Sequence, residues 1–215
     1  MEYRKYVQEE KKERRAEVVK AAAELFLEEG IDAVRMTDIA DACECGVASV
    51  YRYFGNKTVL AVAAGEYLWG GIRPLFEQST PGYDDLSGYG RLQVLFHVFI
   101  RLYDEQRSFL KFIHDFDALM LREKPDVKSM EGYEKAVLSF FPLFREAYEL
   151  GVSDGSVREI ADFETYYYSA THLLLFSCQK FAIGSILSID SEERRHEELV
   201  MMAEMALRYV RGAEK

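Results

Sequence analysis

Four prolines in 215 residues, and no stretch that alternates apolar with polar side chains, leave this chain little to build but helices. A strand with one solvated face needs that alternation. Helical spacing recurs instead. Val18, Ala22, Leu25 and Phe26 fall at i, i+4, i+7 and i+8, a single core-facing stripe. "FLEEG" then stops at Gly30. Thr37 and Asp38 open a short second helix, with Ile39, Ala42 and Cys43 turned inward. A third begins at Gly46–Val47, carries Val50 and Phe54 at i, i+4, and ends at Gly55. Asn56 caps a fourth over roughly 57–69, closed by Gly70-Gly71. After a turn-rich loop at 79–90, helices are expected at roughly 91–105, 108–122, 128–150, 162–184 and 191–212. The expectation is an all-α chain of about nine helices, with a three-helix head at 1–57 and a larger helical part at 58–215.

Composition narrows the class. The chain is 49% hydrophobic and 30% charged, enough apolar material for a core. No apolar run approaches the ~20 residues a membrane span requires. The opening "MEYRKYVQEEKKERR" is charged from its first residues, unlike a signal peptide. Three cysteines, a low and odd count, argue against a disulfide framework and for a reducing compartment. A cytoplasmic protein with no membrane partner is expected.

The net charge of -10 looks hostile to nucleic acid, whose binding depends on neutralising phosphates. Its distribution matters more. Residues 1–60 hold 10 Lys+Arg against 12 Asp+Glu, and residues 61–215 hold 17 against 25. The first part is nearly neutral, with cations grouped at Lys11, Lys12, Arg14 and Arg15 and again at Arg52 and Lys57. No Asp or Glu occurs between Cys45 and Gly65.

Residues 37–54 fit a helix-turn-helix. Its second helix starts with the small residues Val47, Ala48 and Ser49, which allow close approach to a groove. With Val50 and Phe54 as core anchors, Tyr51, Arg52, Tyr53 and Lys57 point away from the core and carry hydrogen-bond donors. Lys57 also starts the next helix, where free amides and the helix dipole favour an anion. Packing between small subdomains is the alternative reading of the aromatic run.

The stretch from Val18 to Ala64 resembles the DNA-binding region of the TetR (tetracycline-repressor-like) family of bacterial transcription regulators. "AAAELFLEEG", "TDIADAC" and "YRYFGNK" carry the resemblance, in matching order and spacing. The rest of the chain agrees in length and helical character. The resemblance implies an Ω-shaped homodimer, a palindromic double-stranded operator, and a ligand pocket in the C-terminal part. It places Val47, Ala48 and Ser49 at base edges, and Tyr51, Tyr53 and Lys57 on phosphates with Thr37 helping. Arg52 fits either role. The pattern is broken at two positions. Glu44 stands where the family has the Gly of the turn, and Gly46 where it has a capping Ser or Thr. Glu44 is expected to strain or shift the turn.

Other chemistry is weakly signalled. Cys43 and Cys45 are read as packing residues lining the turn, with Cys45 buried; a thiol switch or metal site is the alternative. Glu193-x-x-His196 is half of a di-iron pattern and lacks its second half. No nucleophile triad, phosphate loop or carboxylate pair stands out. No enzyme, cofactor or metal site is expected.

The C-terminal part is rich in aromatics. Phe99, Tyr103, His114, Phe116, Phe140, Phe144 and His172 are the candidates for lining a pocket, and a small apolar or aromatic effector is the expected ligand. The last two helices carry more apolar surface than one core face needs. Leu174, Leu175, Leu199, Met202, Ala206 and Tyr209 are the candidates for a dimer interface. The expected function is a ligand-released repressor; the alternative is a small-molecule-binding helical protein whose DNA head is degenerate.

Overall fold

The computed structural model describes residues 2–77, 82–184 and 190–212. The helices are α1 (Glu2–Glu29), α2 (Met36–Ala42), α3 (Val47–Phe54), α4 (Lys57–Glu77), α5 (Gly88–Glu105), α6 (Arg107–Glu123), α7 (Val127–Leu138), α8 (Phe141–Asp154), α9 (Phe163–Ile183) and α10 (Glu192–Val210), with a 3-10 turn at Tyr83–Asp85. Among the described residues extended pairing is confined to one bridge, Val157 to Arg211. The chain is all-α. Residues 79–81 of the expected loop and 185–189 before the last helix lie outside the described residues.

The chain divides into two compact units. One comprises the residues up to Gly71 with Lys111–Val137; the other comprises Ile72–Leu110 and the residues from Leu138 onward. The division falls inside α4, α6 and α7, so the expected head at 1–57 is the leading part of a larger unit.

In the first unit the apolar stripe of α1 packs inward through Val18, Ala22 and Phe26, while Leu25 is only half-buried. Gly30 adopts φ +84 and its N–H donates to the Phe26 carbonyl at 3.1 Å, a left-handed stop that suits glycine. Ile39 and Ala40 anchor α2, whereas Ala42, expected to face inward, is exposed. Val50 and Phe54 anchor α3. Below the helix-turn-helix, Phe26 stacks near Phe112 (6.3 Å), Phe112 meets Phe116 (5.8 Å), and Phe116 stacks on Tyr133 (4.4 Å). Burial pushes the Tyr133 phenol far above its ordinary range, so it stays neutral there. Helix α4 does not stop at Gly70-Gly71. Trp69, Ile72 and Phe76 continue its buried stripe, and the helix runs on to Glu77 past Pro74.

The second unit is organised on α5, which packs against α8, α9 and α10. Its first turn lies so close to α8 that a Cβ on Gly88 would collide with the backbone of Gly151. That turn is capped by Ser87 Oγ, which accepts from the Gly90 N–H at 3.2 Å, and by Asp154 Oδ2, which accepts from the Gly88 N–H at 2.8 Å. The helix expected over 128–150 is two helices. Pro142 has no N–H for the Leu138 carbonyl, so α7 ends there and α8 restarts at Phe141. Arg73 fills the break, donating through Nη1 to Ser139 Oγ at 2.7 Å and to its carbonyl at 3.2 Å.

Candidate nucleic-acid interface

Eight residues of α3 carry the candidate reading surface. Because Val50 and Phe54 are buried, the helix's 100° step puts Ala48, Tyr51 and Arg52 on the opposite face, and all three are exposed. Val47 and Ser49 are half-exposed at its edges, and Tyr53 is half-buried. The Arg52 guanidinium donates to Ser49 Oγ at 3.2 Å and lies 5.5 Å from the Tyr53 ring centre. These contacts hold the guanidinium beside the helix start. The helix is entered by Gly46, whose carbonyl accepts from the Ser49 N–H at 2.7 Å.

Positive charge reaches this face from α1 as well. Arg15 lies 4.8 Å over the Phe54 ring, at the C-terminal end of α3. The sequence signal for this placement exists. Arg15 precedes Val19 and Ala22 by four and seven residues, on the stripe that packs inward.

Thr37 is exposed at the start of α2, with its hydroxyl 3.3 Å from Asp38 Oδ1. Asp38 Oδ2 in turn accepts from the Arg35 N–H at 2.7 Å, so this carboxylate closes the helix start. Asp41 and Glu44 are exposed nearby, so the acid-free character of α3 ends at the turn.

Glu44 adopts φ +50, a left-handed conformation disfavoured by about 1–2 kcal/mol for a residue with a Cβ. The turn nevertheless forms, with backbone donors Cys43, Glu44 and Cys45 paired to Ile39, Asp41 and Ala40 at 3.1, 3.2 and 2.9 Å. Cys45 does not occupy a buried position. Cys43 and Cys45 are each half-exposed at the turn, because a left-handed residue between them swings both side chains to its outer flank.

Lys57 departs from its expected role. Its ammonium donates to the carbonyls of Ile31, Asp32 and Val34 at 2.8, 3.3 and 3.0 Å. An ammonium has three donors, and all three are committed to the α1–α2 connection. Asn56 Oδ1 caps the same helix start by accepting from the Val59 N–H at 2.9 Å. Lys57 therefore fastens the start of α4 to the α1–α2 connection.

The pocket candidates do not share one lining. Phe116 packs within the first unit, and His114 of that unit is exposed. Phe99, Tyr103, Phe140 and Phe144 are buried in the second unit, where Phe76 contacts Phe140, Phe99 and Phe144 at 4.8, 5.7 and 6.3 Å between ring centres. His172 is also exposed, stacked on Phe176 at 5.2 Å. Helix phase puts both imidazoles on outer faces. Tyr103 is different: it is fully buried, with Arg195 and Glu192 facing its hydroxyl. The Arg107 guanidinium lies 4.5 Å over its ring.

The interface candidates are also sorted by helix phase. Leu174 and Leu199 are fully buried and Ala206 nearly so, while Leu175 and Met202 are half-buried. Only Tyr209 of the six is exposed. The apolar side chains that face outward are their neighbours: Leu173 and Phe176 on α9, and Met201 and Met205 on α10. A groove of about 520 Å³ lies between these helices, lined by Tyr166, Leu173, Met205 and Tyr209 among others.

Among the described residues no group of three or more His, Cys, Asp or Glu is gathered as a metal site. His196 faces Asp104 at 3.4 Å. No described helix is long and apolar enough to cross a membrane.

Residues 18–64 match the family model described as bacterial regulatory proteins, tetR family. KstR2, an HTH-type transcriptional repressor of Rhodococcus jostii (strain RHA1), is 25% identical over 198 residues, covering 87% of this chain and 89% of that protein. A TetR-family regulator from Mesorhizobium loti superposes with a TM-score of 0.70 at 19% identity, covering 94% of this chain and 98% of that one. The structure of RolR in complex with resorcinol superposes with a TM-score of 0.63 at 18% identity, over 94% of this chain and 90% of that one. With a helix-turn-helix built on Val50 and Phe54, residues 18–64 carry the DNA-binding region of the tetR family of bacterial regulatory proteins, and the chain is similar along nearly its whole length to transcription regulators of that family, which are not enzymes.

Proposed function

We propose that this regulator is a repressor that binds a palindromic operator as a homodimer and is released by a small apolar or aromatic molecule. The observation that carries DNA reading is the outer face of α3, where Ala48, Tyr51 and Arg52 stand clear of the anchors and no acid intervenes. Val47, Ala48 and Ser49 meet base edges, the first two against thymine methyls. Tyr51 and Tyr53, with Thr37, hold phosphates, and Arg52 bonds either. A two-fold dimer sets two such helices in successive major grooves about 34–36 Å apart, which is what makes the operator a palindrome.

Two features support the finer parts of the reading. The outward apolar side chains Leu173, Phe176, Met201, Met205 and Tyr209 form the dimer face. The aromatic interior of the second unit, where Phe76 meets Phe99, Phe140 and Phe144, supports a small aromatic effector. RolR, which shares the fold, holds a compound of that kind, resorcinol.

Footprinting on the DNA upstream of the chain's own gene tests this directly. Salt-sensitive protection of a near-palindrome, lost when the effector is added, is the expected result. Absence of protection in ligand-free protein would defeat it in favour of a small-molecule-binding protein with a degenerate head, a reading that the strained Glu44 turn would then explain.

A further inference from the structure

DNA reading by α3 leaves one part of the head unused, its pair of thiols. The sulfurs of Cys43 and Cys45 are 3.1 Å apart, about 1 Å beyond bonding distance. In an extended chain side chains two residues apart share a face but stand about 6.6 Å apart along it, out of bonding reach. Here Glu44 at φ +50 folds the chain between them, and the paired backbone donors of Cys43, Glu44 and Cys45 hold that fold. The strain at Glu44 therefore has a chemical result: it brings two half-exposed thiols together. Cys178 lacks these features. It is fully buried, bonds the Phe99 carbonyl at 3.3 Å, and is pushed up to about 12 by burial.

We infer that Cys43 and Cys45 form a reversible dithiol–disulfide site, oxidised by hydroperoxides and reduced by small thiols, whose closure weakens DNA binding by displacing the start of α3. The link to DNA rests on the proposed reading of α3; the thiol chemistry does not. The Cys45 sulfur attacks one oxygen of the peroxide. An S–O bond forms, the O–O bond breaks, and the thiol proton leaves with the other oxygen, as water when the oxidant is hydrogen peroxide and as an alcohol when it is an organic hydroperoxide. The Cys43 sulfur then attacks the Cys45 sulfenic acid. An S–S bond forms, the S–O bond breaks, and the Cys43 proton departs with the hydroxyl as water. Two electrons pass from the thiol pair to the peroxide. Two equivalents of a small thiol reverse the change and leave as its disulfide. Cys43 takes the second role because burial, with the contact from Cys45, pushes it up to about 11 and keeps it protonated. Closing the last ångström moves Cys45 relative to α2. Val47 follows two residues later, so the shift passes directly to the residues placed at base edges.

The test uses the full chain. After treatment with hydrogen peroxide and then an alkylating agent, the tryptic peptide from Met36 to Arg52 should be two hydrogens lighter and unalkylated. Dithiothreitol should restore both alkylation sites. Cys43→Ser should leave Cys45 oxidised but unbridged. On the DNA upstream of the chain's own gene, oxidised protein should bind about tenfold or more weakly, the equivalent of one lost base contact, with recovery on reduction. The Cys43→Ser/Cys45→Ser double variant should not respond to peroxide. Free thiols after peroxide, or bridges only between chains, would overturn the site. A disulfide that leaves affinity unchanged would overturn its link to DNA. Reduced protein that binds no DNA would fail the functional reading instead, and the peptide mass separates the two failures.

Discussion

Glu44 and Lys57 flank α3 and act by different means, and each is testable alone. Glu44 sits at φ +50 because the turn requires a left-handed residue, and its Cβ makes that conformation unfavourable. Glu44→Gly should stabilise the protein by about 0.5–1 kcal/mol, since glycine's greater freedom when unfolded offsets part of the relief. Denaturant midpoints of the two proteins measure this; a lower midpoint for the glycine variant would show that Glu44 makes a favourable contact. Lys57 donates to three carbonyls of the α1–α2 connection. Removing the ammonium should destabilise the head by about 1.5–3 kcal/mol, the scale of hydrogen bonds to a charged donor. Lys57→Ala should therefore lower the melting temperature yet leave the salt dependence of DNA binding unchanged. Arg52→Ala should do the reverse, reducing the slope of log affinity against log salt by about one with little change in stability. If Lys57→Ala reduces the slope instead, its ammonium leaves the carbonyls for a phosphate when DNA binds.

At the scale of elements, helix ends and helix phase account for what sequence could and could not reveal. The head was legible because its signals are local. Gly30 stops α1, and Val50 and Phe54 fix which side of α3 is inward and hence which is free. Gly70-Gly71 looked like a stop, but the burial of Trp69, Ile72 and Phe76 outweighs the glycines' weak helix preference and carries α4 onward. Pro142 was the missed break, one residue inside the α8 start. The pairing of thiols across Glu44 and the three carbonyls around Lys57 depend on backbone direction, which spacing does not encode. The start of α5 was illegible for a related reason, because one of its caps, Asp154, comes from 66 residues away. Asp154 there is pushed up by desolvation, but hydrogen bonds from Ser156 and from the Gly88 and Ser156 amides hold its carboxyl below the usual range. A depressed value stabilises the fold above the unfolded value, about pH 4, and that contribution is lost as pH falls through the folded one. Asp154→Asn should thus destabilise at pH 7 and differ little from wild type near pH 2, as read by melting temperature. Gly88→Ala should be more damaging, roughly 2–4 kcal/mol, because its Cβ collides with backbone that cannot move aside. Equal melting of Gly88→Ala and wild type would mean that α5 and α8 are not held at that approach.

At the scale of the whole molecule, the decisive quantity is the apolar surface that the second unit leaves uncovered. Core burial is satisfied without Leu173, Phe176, Met201, Met205 and Tyr209, each at least 42% exposed. They follow helical spacing on two neighbouring helices, so they form a surface and not scattered exceptions. A two-fold axis through this surface would set each α9–α10 pair against its mate, and the groove lined by Leu173, Met205 and Tyr209 would receive side chains of the other copy. A stable dimer buries more than about 1,000 Å² in total, which two such pairs of helices can supply. The buried Leu174 and Leu199 are then support for the interface and not part of it, so substitutions there unfold the unit and say nothing about association. The informative change is on the outside. Leu173→Glu with Met205→Glu places carboxylates, opposite their own copies, where the dimer needs apolar contact. Sedimentation at micromolar concentration should show wild type as a dimer and the double variant as a monomer, with helical circular dichroism preserved. The monomer should still protect a single half-site weakly but lose the joint protection of two half-sites, because one head no longer raises the local concentration of the other. A wild-type monomer, or a double variant that still sediments as a dimer, would remove α9 and α10 as the dimer face and the geometric basis for a palindromic operator with them.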